Sequence, residues 1–278
     1  MARSLTMRDT LELPALSAAL DHTSFAGKIH HFASVTSTNQ LALEAAQTNA
    51  LDGNVWIADQ QTAGRGRGGH QWHSRAGDGL YVSILIRPQI TLKASLWLSL
   101  ATGLAAQSAI GSLTGRRPDI RWPNDLLFGS KKCGGILVET SALPAEDDVP
   151  SMLRYAVIGV GINVNHETFP PELEALATSL RQQTGHTYLR QALLIELLNQ
   201  FHRQIQLLEE ELGGTHTGDS LLSRFTEAST WVRGKRVHVD ERDGYTGVTA
   251  GLDPRGFLRV AGDDGVEHLV FSGGVRAL

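Results

Sequence analysis

Cysteine is nearly missing from this sequence: Cys133 stands alone among 278 residues. An internal disulfide framework is therefore excluded, and a reducing compartment is the natural setting. Zinc-site spacings are missing too, since the eleven histidines include no HExxH and no CxxC occurs; no structural metal is expected. Basic runs are absent. With a formal net charge of −4 and no block of five basic residues, nothing favours a polyanion, and no DNA partner is expected. The first twenty residues scatter charge through MARSLTMRDTLELPALSAAL and lack the unbroken apolar core of a secretory signal, so the expected location is cytoplasmic. The charge-free stretch at residues 94–110, between Lys93 and Arg116, carries Ser95, Ser99, Thr102, Gln107 and Ser108. A buried helix accounts for it, and no membrane is expected. Repeats and low-complexity tracts are also lacking.

What is present is an ordinary globular composition, 41% hydrophobic and 19% charged. The length fills one large domain, or one domain with a small companion. The most unusual stretch is GRGRGG, residues 64–69, followed by His70, Gln71 and Trp72. Gly64, Gly66, Gly68 and Gly69 permit positive φ and close approach of backbone to a ligand, while Arg65 and Arg67 offer planar donor forks for carboxylate or phosphate. The string also satisfies GxGxxG, but a dinucleotide fingerprint requires a helix directly after the glycines. HQWHSRAGDG lacks helical periodicity and runs into the β-rich LYVSILI. An anion-holding loop is the better reading, with a flexible surface turn as the alternative. Gln61 lies just upstream; Trp72, just downstream, either closes the loop against apolar surface or packs in the core.

Before residue 29 the chain supports one or two short helices, with Pro14 at a helix start and Leu16 and Leu20 on one face. That is too little for a DNA-reading helix-turn-helix. A strand then passes to a helix at Ser37, and Ser37 with Gln40 has capping-box spacing; Ser37, Thr38 and Asn39 either cap that helix or meet polar ligand atoms beside its free N–H groups. In DIRWPNDLLF, residues 119–128, Pro123 breaks a strand and sets Asn124 and Asp125 at a bend, where they bind magnesium, order a nearby loop or cap the turn. GSKK, residues 129–132, reads as a hairpin connection. Lys132 then either reaches into a cleft or sits exposed. An acidic surface loop is expected at residues 145–151. In YAVIGVGINVN, residues 155–165, Gly159 and Gly161 share one strand face, which suits a flat ligand against the backbone. An acidic helix near residues 171–180 and a long amphipathic one near 188–212 look like scaffold. From Trp231 on, short alternating runs between Asp-Gly and Asp-Pro turns read as a small all-β barrel.

Taken together, STN at 37–39, QTAGRGR at 61–67 with Trp72, RWPND at 121–125, KKCGGILVE at 131–139 and VIGVGINVN at 157–165 resemble the biotin protein ligase family, which attaches biotin to carboxylase carrier domains. Order and spacing agree from about residue 30 to the C-terminus. The resemblance implies an α+β fold. Residues 1–228 would form a catalytic domain like that of the class II aminoacyl-tRNA synthetases, a mixed sheet with flanking helices, and residues 229–278 an SH3-like barrel, in the short form without an N-terminal DNA-binding domain. It also implies a biotin pocket of Ser37, Thr38, Asn39, Gln61, Arg65, Gly66, Arg67, Lys132, Gly159 and Gly161, with catalytic roles for Lys132, Arg65 and Arg67. Gly64, Gly68, Gly69 and Trp72, with Asn124 and Asn163, would serve ATP and the adenylate. ATP with Mg²⁺ near Asp125, biotin as substrate, and the biotin carboxyl carrier protein of acetyl-CoA carboxylase or a related carboxylase as partner follow from the same resemblance, in a monomer or homodimer. Two positions depart from the pattern: Gly68 stands where relatives often carry a third basic residue, and Cys133-Gly134 where Leu-Ala is commoner. A lipoate or octanoyl transferase is the nearest enzymatic alternative, although such chains carry RRxxGGG or RGGxxT motifs. A non-catalytic protein that binds biotinyl-adenylate is the other.

Overall fold

In the computed structural model, which describes residues 9–144, 150–241 and 243–278, strands and helices alternate in the first half of the chain. In chain order these are α1 (Leu13–Ala19), β1 (Ile29–Val35), α2 (Thr38–Gln47), β2 (Val55–Gln61), β3 (Gly79–Ile86) and α3 (Ser95–Thr114). Four strands follow, β4 (Asp119–Arg121), β5 (Asp125–Phe128), β6 (Lys131–Ala142) and β7 (Leu153–Asn163). Next come α4 (Pro171–Glu174), α5 (Leu180–Thr184), α6 (Arg190–Leu212) and α7 (Leu221–Ala228). The last strands are β8 (Arg233–Val239), β9 (Tyr245–Leu252), β10 (Leu258–Gly262), β11 (Glu267–Val270) and β12 (Val275–Ala277). Among the described residues, β1 to β7 form one sheet in the order β1-β2-β3-β7-β6-β5-β4, and β8 to β12 a second in the order β11-β10-β9-β8-β12. Only β1 and β2 run parallel; the remaining pairs are antiparallel.

The two faces of the larger sheet differ in what covers them. Leu80, Val82, Ile84 and Ile86 of β3, with Ile158, Val160 and Ile162 of β7, point into the main core shared with α3 and α6. On the opposite face Trp56, Leu85, Tyr155 and Val157 pack under α2 through Ala42 and Ala46. A ten-residue helix covers only part of that face, and the uncovered part carries Gly135, Gly159 and Gly161. The site lies there. The charge-free segment forms α3, long and apolar enough to cross a membrane by composition, yet Leu98, Leu100, Ala105 and Ile110 are fully buried against the sheet and α6. Each such leucine or isoleucine contributes about 1.5–3 kcal/mol by leaving water.

Several local expectations need correction. Ser37 is the N-cap of α2, but its side chain makes no capping bond, and Gln40 pairs with Glu44 instead of reaching back. Gln61 Oε1 instead takes the Thr38 N–H at 2.8 Å, satisfying one free helix donor from outside the helix. The acidic helix near 171–180 splits into the single-turn α4 and the short α5, separated by residues that pair with β6: Lys132 N–H donates to Leu176 O at 2.8 Å. Of the acidic loop expected at 145–151, residues 145–149 lie outside the described residues.

The β5–β6 register carries an irregularity that sequence periodicity does not reveal. Leu127 pairs with Lys132 and Leu126 with Gly134, so Cys133 is an extra residue on β6. Because side chains alternate along a strand, this bulge places Lys132 on the same face as Gly135, Leu137 and Glu139 and leaves Cys133 and Ile136 in the core. Without it Lys132 would point into the core with Ile136.

Candidate functional site

The loop after β2 is folded by its own glycines. Gly68 and Gly69 adopt φ of +63° and +81°, a region that side chains rarely enter, and Gly66 N–H donates to His70 O at 2.7 Å. Arg65 and Gln71 bridge across the loop. Arg67 is thereby turned inward, half-buried, with Nη1 donating to Asn124 Oδ1 at 3.2 Å. Arg65 stays exposed, 3.6 Å from Glu139 and 3.5 Å from Gln40 Oε1. Trp72 lays its indole over the bare strands: a Cβ built on Gly161 would stand 2.6 Å from its Cε2 and Nε1, and one on Gly135 3.0 Å from its Cζ3. Trp72 Nε1 is buried with no hydrogen-bond partner among the described residues.

One cavity gathers most of the residues expected from the sequence. Ser37, Thr38, Asn39, Gln61, Arg65, Gly66, Arg67, Trp72, Asn124, Lys132, Gly159 and Gly161 all line it, with Arg65 linked to Asn39 through Glu139 and Arg67 beside Asn124. Gly68 and Asp125 belong instead to a wider groove of about 740 Å³ toward the second sheet, bounded by Arg276 and Gly273. Gly64 and Asn163 lie outside both. Gly64 O accepts from Trp72 N–H at 2.9 Å, and Asn163 spends its amide on Thr178 O at 3.1 Å and Lys132 O at 3.4 Å. Gly69 completes the turn of the loop without bordering the cavity.

Lys132 and Asp125 form a close charged contact, with Nζ 2.5 Å from Oδ1, while Arg121 Nη2 meets the other carboxylate oxygen at 2.5 Å. Burial alone would raise the Asp125 pKa, but attraction to Lys132 and Arg121 outweighs it and holds the carboxyl below its usual range. Arg67 moves the other way. Burial lowers its pKa, opposed by attraction to Asp125.

Residues 31–163 match the Biotin/lipoate A/B protein ligase family. The chain is 32% identical to the biotin–[acetyl-CoA-carboxylase] ligase of Mycobacterium tuberculosis, across 97% of this chain and 98% of that protein. It is 34% identical to the bifunctional ligase/repressor BirA of Bacillus subtilis, across 84% of this chain and 70% of that one. The chain belongs to the biotin protein ligase family. Among solved structures, the biotin protein ligase of Aquifex aeolicus in complex with biotin and ATP superposes with a TM-score of 0.72 at 27% identity, covering 90% of this chain and 98% of that one.

Three residues at this biotin protein ligase cavity are not among the site residues expected from the sequence, although two of them lie within KKCGGILVE. Gly135 borders it beside Lys132, and Ser83 and Glu139 hold Asn39. Ser83 is the detectable one, a hydroxyl in the otherwise apolar strand GLYVSILI, every residue of which is buried. The expectation that a flat ligand alone requires bare backbone is also sharpened. A Cβ on Gly159 would stand 2.2 Å from Asn39 Oδ1, so the chain's own Asn39 and Trp72 already require those glycines. Gly161→Val should therefore expel the Trp72 indole and weaken biotin binding more than tenfold; unchanged affinity by isothermal titration would remove this strand from the pocket.

A buried histidine next to the loop gives a pH prediction. His166 is fully buried and stacked on Phe169 at 4.9 Å, with His73 at 5.9 Å. Burial first, then the neighbouring His73 and Arg75, pushes its pKa down to about 4. The folded protein thus keeps His166 neutral where the unfolded chain takes a proton. Its full stability holds above the ordinary value near 6.5 and is lost as pH falls toward 4, by about 3 kcal/mol at most. His166→Phe should remove this slope; urea unfolding at pH 7, 5 and 4 that shows the same slope in both proteins would refute the assignment.

Proposed function

We propose that this chain is a biotin–protein ligase that works in two steps. The biotin carboxylate attacks the α-phosphorus of ATP, giving biotinyl-5′-adenylate and releasing pyrophosphate. A lysine amine of a biotin carboxyl carrier protein, from acetyl-CoA carboxylase or a related carboxylase, then attacks the acyl carbon, loses a proton and displaces AMP. The observation that carries this reading is that Arg65, Arg67 and Lys132 border the same cavity as Ser37, Thr38, Asn39 and Gln61. Neutral polar groups there suit a polar ring, and the cations suit its acid.

Both substrates of the first step are anions, so fixed cations must offset their repulsion as they meet. Arg67 and Lys132 are partly withdrawn from water, where their attraction for developing charge is greater than in solution. Holding the two reactants together contributes on the order of 7–11 kcal/mol toward the barrier. Trp72 and the loop cover the bare strands and keep water from the mixed anhydride. Magnesium enters only as a counter-ion of ATP. Among the described residues no group of three or more His, Cys, Asp or Glu side chains could hold a metal, and Asp125 is engaged by two cations.

The division expected near residue 229 belongs to this proposal: residues 1–228 act as the catalytic domain and 229–278 as an SH3-like barrel. Its support is that α7 ends at Ala228 and the five antiparallel strands of the second sheet begin at Arg233. The setting we propose is the cytoplasm, in keeping with the lone Cys133. ATP–pyrophosphate exchange measured with biotin, and separately with lipoate, tests the function. Exchange with biotin alone is expected. Exchange with lipoate in its place would assign a lipoate ligase, and exchange with neither would assign a binding protein.

A further inference from the structure

A carboxylate beside an anion clamp is unexpected, since it repels the acid that the clamp is built to hold. Glu139 is that carboxylate: three-quarters buried, with Oε2 accepting from Asn39 Nδ2 at 2.9 Å. Asn39 Oδ1 lies 2.5 Å from the hydroxyl of Ser83, which is fully buried and also stands 2.8 Å from Thr38 Oγ1. We propose that Glu139 and Ser83 are positioning residues that fix the orientation of the Asn39 amide and the direction of the Ser83 proton, leave the Thr38 hydroxyl to donate within the protein, and so set the donor and acceptor pattern that the cavity shows to its ligand.

The direction follows from counting protons. A carboxylate only accepts, so the Asn39 amide must turn its N–H toward Glu139 and its oxygen toward Ser83. Ser83 owns one proton and must give it to that oxygen. The Thr38 hydroxyl then has two acceptors for its one proton, Ser83 Oγ at 2.8 Å and Gln61 Oε1 at 3.1 Å. With either acceptor Thr38 Oγ1 spends its proton within the protein and keeps lone pairs for the cavity. Gln61 Oε1 stays satisfied by the Thr38 backbone N–H at 2.8 Å, and Gln61 Nε2 donates to Ser74 Oγ at 3.1 Å. A neutral acceptor in place of Glu139 could also donate, and the chain could then run either way. Only an acceptor without protons imposes one order on it.

This inference rests on the reading of the ligand as biotin, and the test separates the two. Binding of biotin and of its neutral alcohol, biotinol, is measured by isothermal titration for the wild-type chain, Glu139→Met, Ser83→Ala and the double variant. If the wild-type chain binds neither, the functional reading fails before this one is reached. Given wild-type binding, each single variant should weaken both ligands about tenfold, and the double variant little more than either single one, because both act through Asn39. Three results would overturn the proposal: tighter biotin binding by Glu139→Met, as loss of a repulsive charge alone requires; an effect confined to the charged ligand; or additive losses near a hundredfold in the double variant. Thermal melting confirms that each variant is folded. Should Ser83→Ala not fold, Ser83→Cys, with a weaker donor in the same place, takes its position in the cycle.

Discussion

Lys132→Ala is expected to lower biotin-dependent pyrophosphate exchange by about 10²–10³-fold, the usual consequence of removing one preorganised group that stabilises transition-state charge. Its backbone is fixed on both sides, donating to Leu176 O and accepting from Thr178 N–H, so the truncated side chain leaves the strand in place. Stability should fall as well, by about 1–3 kcal/mol, because Asp125 loses one of its two cations while remaining buried. That loss should grow as pH rises above the unfolded carboxyl's value, where Asp125 must be charged. Its own depressed pKa means that its stabilising contribution is present there and is lost on acidification through the folded value. Adding Asp125→Asn to Lys132→Ala should recover much of the stability and none of the exchange. Recovery of exchange in the double variant, or near wild-type exchange in the single one, would show that Lys132 serves Asp125 and not the reaction.

The motif residues that sequence reading located are those whose chemistry is local. GRGRGG announces a loop of positive φ and two guanidiniums, and Gly68, Gly69 and Arg67 behave accordingly. The helix start at Ser37 was legible, but its means of satisfaction was not, because Gln61 stands 23 positions from Thr38 and spacing carries no trace of their bond. Lys132 illustrates the limit most clearly. Its hairpin could be read from GSKK, but its direction depends on the bulge at Cys133, which changes strand parity through pairing with β5. Asn163 shows a related limit: the motif names the residue, while its amide donates to Thr178 in the segment folded back from between α4 and α5. The long-range polar contacts of Ser83 and Glu139 with Asn39 span 44 and 100 positions, beyond any local pattern.

Arg67→Ala should separate stability from function in the opposite sense to Lys132→Ala. Arg67 forms no ion pair within 4 Å among the described residues; its direct partner is the neutral Asn124 Oδ1, and the nearby Asp125 is already shared by Arg121 and Lys132. Burial disfavours its charge more than Asp125 restores it, which is why its pKa is lowered. Such a cation costs the unliganded fold free energy that a bound carboxylate or phosphate would return. Removing it should leave stability unchanged or raise it by up to about 1 kcal/mol, as substitutions of poised active-site groups often do. Exchange should nevertheless drop about 10²-fold or more, since Arg65, the loop's other guanidinium, stays exposed against Glu139 and Gln40 while Arg67 reaches Asn124. Paired melting and exchange measurements decide the matter. A stability loss as large as that of Lys132→Ala would mean that Arg67 is a structural cation, and near wild-type exchange would take it out of the reaction.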